Sequence, residues 1–121
     1  MLLFVNNAMA LDVYYFYKKP RCMTCQKIEK YTKEAVTSMN DKDVKFIGID
    51  LDNSANQSYI KKYNLYTKSV IITDTKNEKE QWKNLDKIWT KTNNEKDFKN
   101  YIVSELNKMK IYKISVSFFI T

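Results

Sequence analysis

The stretch VYYFYKKPRCMTCQKIEKYTKEAV, Val13 to Val36, decides how the rest of the chain is read. It holds both cysteines of the 121 residues, Cys22 and Cys25, and the only proline, Pro20. Ahead of the proline, DVYYFY (Asp12–Tyr17) is a continuous β-prone run without strict alternation. That is the pattern of a strand buried on both faces. Lys18-Lys19-Pro20-Arg21 breaks it, and from Cys22 the period changes. Ile28, Tyr31, Ala35 and Met39 then recur along one face of a helix. Glu29–Lys33 and Lys30–Glu34 are i,i+4 pairs on its outside, and Asn40-Asp41 ends it. The cysteine pair therefore stands where a strand has finished and a helix begins.

Downstream, VKFIGIDL (Val44–Leu51) reads as a second buried strand. DNSANQSYIKKYN follows, with Asn53 or Ser54 as helix caps and Ile60 and Tyr63 facing inward. SVIITD (Ser69–Asp74) is a third strand. TKNE reads as a turn, with Asn77 the residue most tolerant of a left-handed backbone, and KEQWKNL returns as its hairpin partner. DKIWTKTNN is irregular or a short helical turn. NEKDFKNYIVSELNKMK is an amphipathic helix with an Asn cap, acids in its first turn, lysines at its end, and Phe98, Tyr101, Ile102, Leu106 and Met109 on one face. The order β-α-β-α-β-β-α predicts an α/β domain over residues 11–110. Its four-stranded mixed sheet should have a right-handed parallel crossover, an antiparallel hairpin and helices on both faces. In residues 111–121, Tyr112, Ile114, Val116, Phe118 and Ile120 alternate with Lys113, Ser115 and Ser117. That alternation reads as an added edge strand or a weakly ordered tail.

Composition supports one packed core: 44% of residues are hydrophobic and 14% aromatic. Twenty-one Lys+Arg against 14 Asp+Glu leave a net charge of +7. The cations are spread along the chain and interleaved with acids, as in KIEKYTKE and TKNEKEQWK. This reads as a solvated basic surface, and nucleic acid is not an expected partner. No run reaches the roughly 18 apolar residues of a membrane span. The first residues, MLLFVNNAMALD, carry a short apolar run and then Ala8-Met9-Ala10, the small-x-small pattern ahead of a signal cleavage site. Residues 1–10 read either as the remnant of a signal peptide or as an ordinary first strand. The first reading is favoured, which places the protein outside the cytoplasm, with a mature chain that begins at Leu11.

The cysteine spacing fits several kinds of chemistry. Haem attachment needs a histidine after the second cysteine, and Gln26 is there. A zinc site needs four ligands, commonly Cys and His. The chain has no histidine and no third cysteine, so one molecule cannot complete a Cys/His site, although two molecules could pool four thiolates for zinc or an iron–sulfur cluster. A structural disulfide closes a loop too short to stabilise much. A redox pair fits the local physics. The first turn of a helix has unpaired N–H groups and the positive end of the dipole, which stabilise a thiolate at Cys22. Lys18, Lys19 and Arg21 add charge nearby. Met23 and Thr24, between the cysteines, are expected to be partly exposed, to touch substrate and to tune the potential. Gly48 is the only glycine, so no phosphate-binding loop exists. Without histidine, a Ser-His or Cys-His nucleophile is excluded. Tyr14 to Tyr17 and the tryptophans Trp82 and Trp89 read as packing, the tryptophans against the last helix.

Strand, C-x-x-C at a helix start, strand, helix, then YNLYTKSVIITD and a hairpin together resemble the thioredoxin superfamily over about residues 12–109. More narrowly, the opening stretch, LYTKSVII and WKNLDKIW resemble small thioredoxin-like proteins of anaerobic bacteria and archaea. Members are often labelled nitrophenyl-compound nitroreductase subunits, and many carry signal peptides. The resemblance implies a thiol–disulfide oxidoreductase acting on a protein dithiol or disulfide, monomeric, with no cofactor besides its own Cys22–Cys25 disulfide. The alternative is an adaptor that docks a partner through the motif with little turnover. The family's buried acid falls on Phe16, its partner lysine near Gly48, and its cis-proline on Ser69. Ser69 is therefore expected to leave room, and a hydroxyl, beside the sulfurs.

Overall fold

The computed structural model describes residues 10–74 and 80–120, with side chains up to residue 111. The expected order of elements is present: β1 (Leu11–Tyr17), α1 (Met23–Met39), β2 (Val44–Asp50), α2 (Ser58–Lys62), β3 (Ser69–Thr73), β4 (Trp82–Asn84) and α3 (Glu95–Ile120). The four strands form one sheet in the order β2-β1-β3-β4. β1 runs parallel to β2, from Leu11 opposite Val44 to Tyr17 opposite Asp50. It runs antiparallel to β3, from Asp12 opposite Thr73 to Phe16 opposite Ser69. β4 completes the hairpin with Ile71 opposite Asn84 and Thr73 opposite Trp82. These directions and this order, with a dithiol motif at the head of α1, make the fold thioredoxin-like.

Alternation along β1 divides the core in two. Val13 and Tyr15 face α1 and α3 and are buried with Ile28, Ala35, Val36, Phe98, Ile102 and Leu106. Tyr14 and Phe16 face α2 and meet Ile49, Leu51, Tyr63, Leu65 and Ile71. Both faces of β1 are thus covered, which explains its unbroken apolar run. Full burial of each large side chain contributes about 1.5–3 kcal/mol. The helix termini follow from local chemistry. Asn40 closes α1 in the left-handed region, with φ 50°. The Asn94 side chain accepts the Asp97 N–H (3.0 Å) at the start of α3. Asn53 caps the short 3₁₀ turn at Ser54–Asn56 ahead of α2.

Several expectations differ from the structure. β2 is an edge strand with Lys45, Ile47 and Gly48 exposed, not a strand buried on both faces. Its apolar residues satisfied the pattern of a central strand, but only one neighbour pairs with it. α3 continues through Ile120, so residues 111–120 extend this helix and do not add an edge strand. No glycine or proline stands after Lys110 to stop it, and extending a helix costs far less than starting a new element. Trp82 packs edge-on against Tyr63 (centroids 5.0 Å apart), on the α2 face of the sheet. Lys87 and Thr90 fall in the short helical turn anticipated for that segment, a 3₁₀ helix at Asp86–Thr90. The Asn77 turn and the signal-peptide reading of residues 1–9 lie outside the described residues.

Candidate functional site

β1 ends at Tyr17, and after four intervening residues Cys22 takes an extended backbone (φ −79°, ψ 168°) as the N-cap of α1. Its sulfur fills the role usually given to a Ser or Asp oxygen and accepts the Cys25 N–H at 3.1 Å. Its carbonyl takes the Gln26 N–H at 3.0 Å. The Cα atoms of Cys22 and Cys25 are 5.0 Å apart, and the two sulfurs are joined as a disulfide. The motif is asymmetric: Cys22 is exposed, while Cys25 is 1% exposed, one turn inside. Met23 projects into solvent at 79% exposure and Thr24 is half-buried, as the sequence led one to expect.

Arg21 is held on two sides. Its guanidinium lies 4.0 Å over the Tyr17 ring and pairs with Glu29 at 3.0 Å. Its charge is thus matched by Glu29, and the helix N-terminus adds positive potential at Cys22. Ser69 is buried at the motif end of the sheet, opposite Phe16. The register turns it to the Phe16 face, and its hydroxyl donates to the Thr67 carbonyl at 2.9 Å. The hydroxyl that the sequence placed beside the sulfurs has its donor engaged within its own turn. Tyr66, in the same turn, is 84% exposed.

One contact could not be anticipated from spacing. The Tyr15 hydroxyl, buried beneath α1, donates to the Cys25 carbonyl at 3.0 Å. Burial pushes this phenol up to about 12, Glu29 and Tyr17 adding to the rise and Arg21 opposing it. Tyr15 also stacks on Tyr17, centroids 5.8 Å apart, so the ring under Arg21 and the ring under Cys25 form one ladder on β1. A run of four aromatic residues in a strand does not reveal which ring meets the motif. Once reduced, Cys22 and Cys25 would be the only thiolates available to a metal, so a four-thiolate site takes two molecules. No helix among the described residues is long and apolar enough to cross a membrane.

No family model matches the chain. No curated protein matches it either. Among solved structures, the chain is similar to a malarial protein, with 22% identity over 61% of this chain and 79% of that one, at a TM-score of 0.44. It is also similar to a thioredoxin from Thermus thermophilus, with 13% identity over 69% of this chain and 65% of that one, at a TM-score of 0.46. Nothing in these comparisons carries the nitroreductase-subunit label to this chain, and the thioredoxin-like assignment rests on the strand order, strand directions and placement of the dithiol described above.

Proposed function

We propose that the protein is a thiol–disulfide oxidoreductase module with Cys22 as nucleophile and Cys25 as resolving thiol. The observation that carries this reading is the asymmetry of the pair: an exposed sulfur capping α1, linked to a buried one a turn inside. In the reducing direction, the Cys22 thiolate attacks a substrate disulfide, forms one S–S bond and breaks another. The first substrate sulfur leaves as a thiolate and takes its proton from water. Cys25, deprotonated, then attacks the Cys22 sulfur and expels the second substrate thiolate. Two electrons pass from the pair to the substrate, and the Cys22–Cys25 disulfide remains. The oxidising direction is the same path reversed.

The roles of the remaining residues follow from position. Unpaired N–H groups of the first turn stabilise the Cys22 thiolate, with a smaller share from Arg21, already paired with Glu29. Met23 and Thr24 meet the substrate, and the turn ending at Ser69 borders the same end of the sheet. The substrate is a protein dithiol or disulfide, and the protein acts as a monomer without a further cofactor. Insulin reduction or glutathione exchange by wild type and Cys22→Ser tests this. Activity is expected only with both cysteines present. Equal rates would leave the second reading, a docking module without turnover.

A further inference from the structure

We infer that Tyr15 is a positioning residue for the redox motif: its buried hydroxyl, bonded to the Cys25 carbonyl, holds the first turn of α1 so that the Cys25 N–H stays aimed at the Cys22 sulfur. The inference rests on the oxidoreductase reading above. It stands on a continuous set of contacts. Tyr15, fully buried on the central strand, donates to the Cys25 carbonyl at 3.0 Å. That carbonyl belongs to the same peptide group as the Gln26 N–H, which donates to the Cys22 carbonyl at 3.0 Å. The Cys25 N–H, one peptide earlier, donates to the Cys22 sulfur at 3.1 Å. The hydroxyl thus anchors to rigid β1 the two backbone bonds that fix Cys22.

The physical consequence has a sign. A hydrogen bond to a thiolate is charge-assisted and stronger than the same bond to a thiol or a disulfide sulfur. Anything that keeps the Cys25 N–H on target therefore favours the reduced, ionised form. Polarisation tightens the neighbouring bond, since a carbonyl that accepts one bond makes the N–H of its own peptide, here Gln26 toward the Cys22 carbonyl, a better donor. Charged neighbours come from three sides: Lys18, Lys19 and Arg21 ahead of the motif, Glu29 on α1, and Asp52 beyond β2, which accepts the Lys19 N–H at 2.8 Å. Removing the Tyr15 hydroxyl leaves all of these in place. The phenol, raised to about 12, keeps its proton across the range in which a cysteine is titrated.

Tyr15→Phe keeps the ring and removes the donor. Tyr63→Phe is a matched control: its buried hydroxyl donates to Glu80 at 2.6 Å, on the other face of the sheet. Both variants lose one buried phenolic bond, so both should lose stability. The readouts are the pH profile of Cys22 alkylation in reduced protein, and the equilibrium of the pair with glutathione buffers. For Tyr15→Phe, alkylation on the acid side should slow about five-fold, the equivalent of one ordinary hydrogen bond, and the equilibrium should move toward the disulfide. Tyr63→Phe should match wild type in both. Unshifted profiles in Tyr15→Phe, or equal shifts in both variants, would overturn the inference alone. A wild type without cysteine-dependent exchange would overturn the oxidoreductase reading, and the inference with it.

Discussion

Where β1 finishes, Cys22 and Met23 stand in solvent, and a capping sulfur relies on one backbone N–H. Where β1 begins, about 20 Å along the strand, the polar groups are closely matched. There Glu80 accepts from the Tyr63 hydroxyl (2.6 Å) and from Thr73, and pairs with Lys62 at 2.7 Å. Asp74, buried beside it, takes the Gln81 N–H at 2.6 Å. One end thus leaves a reactive atom accessible, whereas the other surrounds a carboxylate with donors from the end of α2 and from β3. The contrast separates what serves chemistry from what serves the fold, and it can be tested end by end.

The largest effect is expected at the exposed end. Cys22→Ser should reduce thiol–disulfide exchange to background, measured by insulin turbidity, with an unfolding midpoint near that of reduced wild type. Residual wild-type activity would mean that Cys25 attacks substrate directly. At the saturated end, Glu80→Gln should leave exchange intact and destabilise the fold by about 1–3 kcal/mol, since the Tyr63 and Thr73 hydroxyls lose a charged acceptor and Lys62 meets an amide in place of a carboxylate. Urea denaturation at neutral pH measures this. An unchanged midpoint would remove the cluster's structural role.

The same carboxylate should shape the response to acid. Burial pushes the Glu80 carboxyl up, but hydrogen bonds from Lys62, Thr73 and Tyr63 together outweigh it and hold the group below its usual range. A carboxyl depressed in the folded state contributes stability above its unfolded pKa, and that contribution is lost as pH falls through the folded value. Urea midpoints taken downward from about pH 5 should therefore fall less steeply in Glu80→Gln than in wild type. Parallel curves would contradict the assignment.

Two smaller effects sharpen the view of the motif. Arg21→Met should slow Cys22 alkylation by less than about three-fold, because Glu29 already answers the guanidinium charge in an exposed setting. A ten-fold loss would make Arg21, and not the helix terminus, the main source of thiolate stability. The smallest expected effect is on metal. Reduced protein given iron and sulfide without oxygen should stay colourless and monomeric, and Ser69→Pro should behave alike. A coloured dimer in wild type, diminished in Ser69→Pro, would support a cluster shared by two molecules.

The sequence revealed the exposed end more fully than the saturated one. Cys22 and Cys25 are close in sequence and straddle a change of period, so their placement at a helix start was legible. So were the order of elements and the Asn40 and Asn94 caps. The Glu80 cluster joins residues from Lys62 to Glu80, and no periodicity links such positions. The hydroxyl of Tyr15 was hidden among four aromatic residues whose shared propensity masks their different faces. β2 was misread because apolar composition does not tell how many neighbours a strand has. Residues 111–120 were misread because a short alternating run fits a strand, while the helix already formed upstream decided the outcome.

The atom proposed to react is also the atom that caps α1, and this ties two equilibria together. Whatever free energy separates a thiolate cap from a disulfide cap must appear both in helix stability and in the redox equilibrium, with equal size. The Cys25 amide, hydrogen-bonded to that sulfur, becomes a built-in reporter of electron occupancy. Its exchange with deuterated solvent should be slower in reduced protein than in oxidised protein, so oxidation state could be followed at one backbone proton without any substrate.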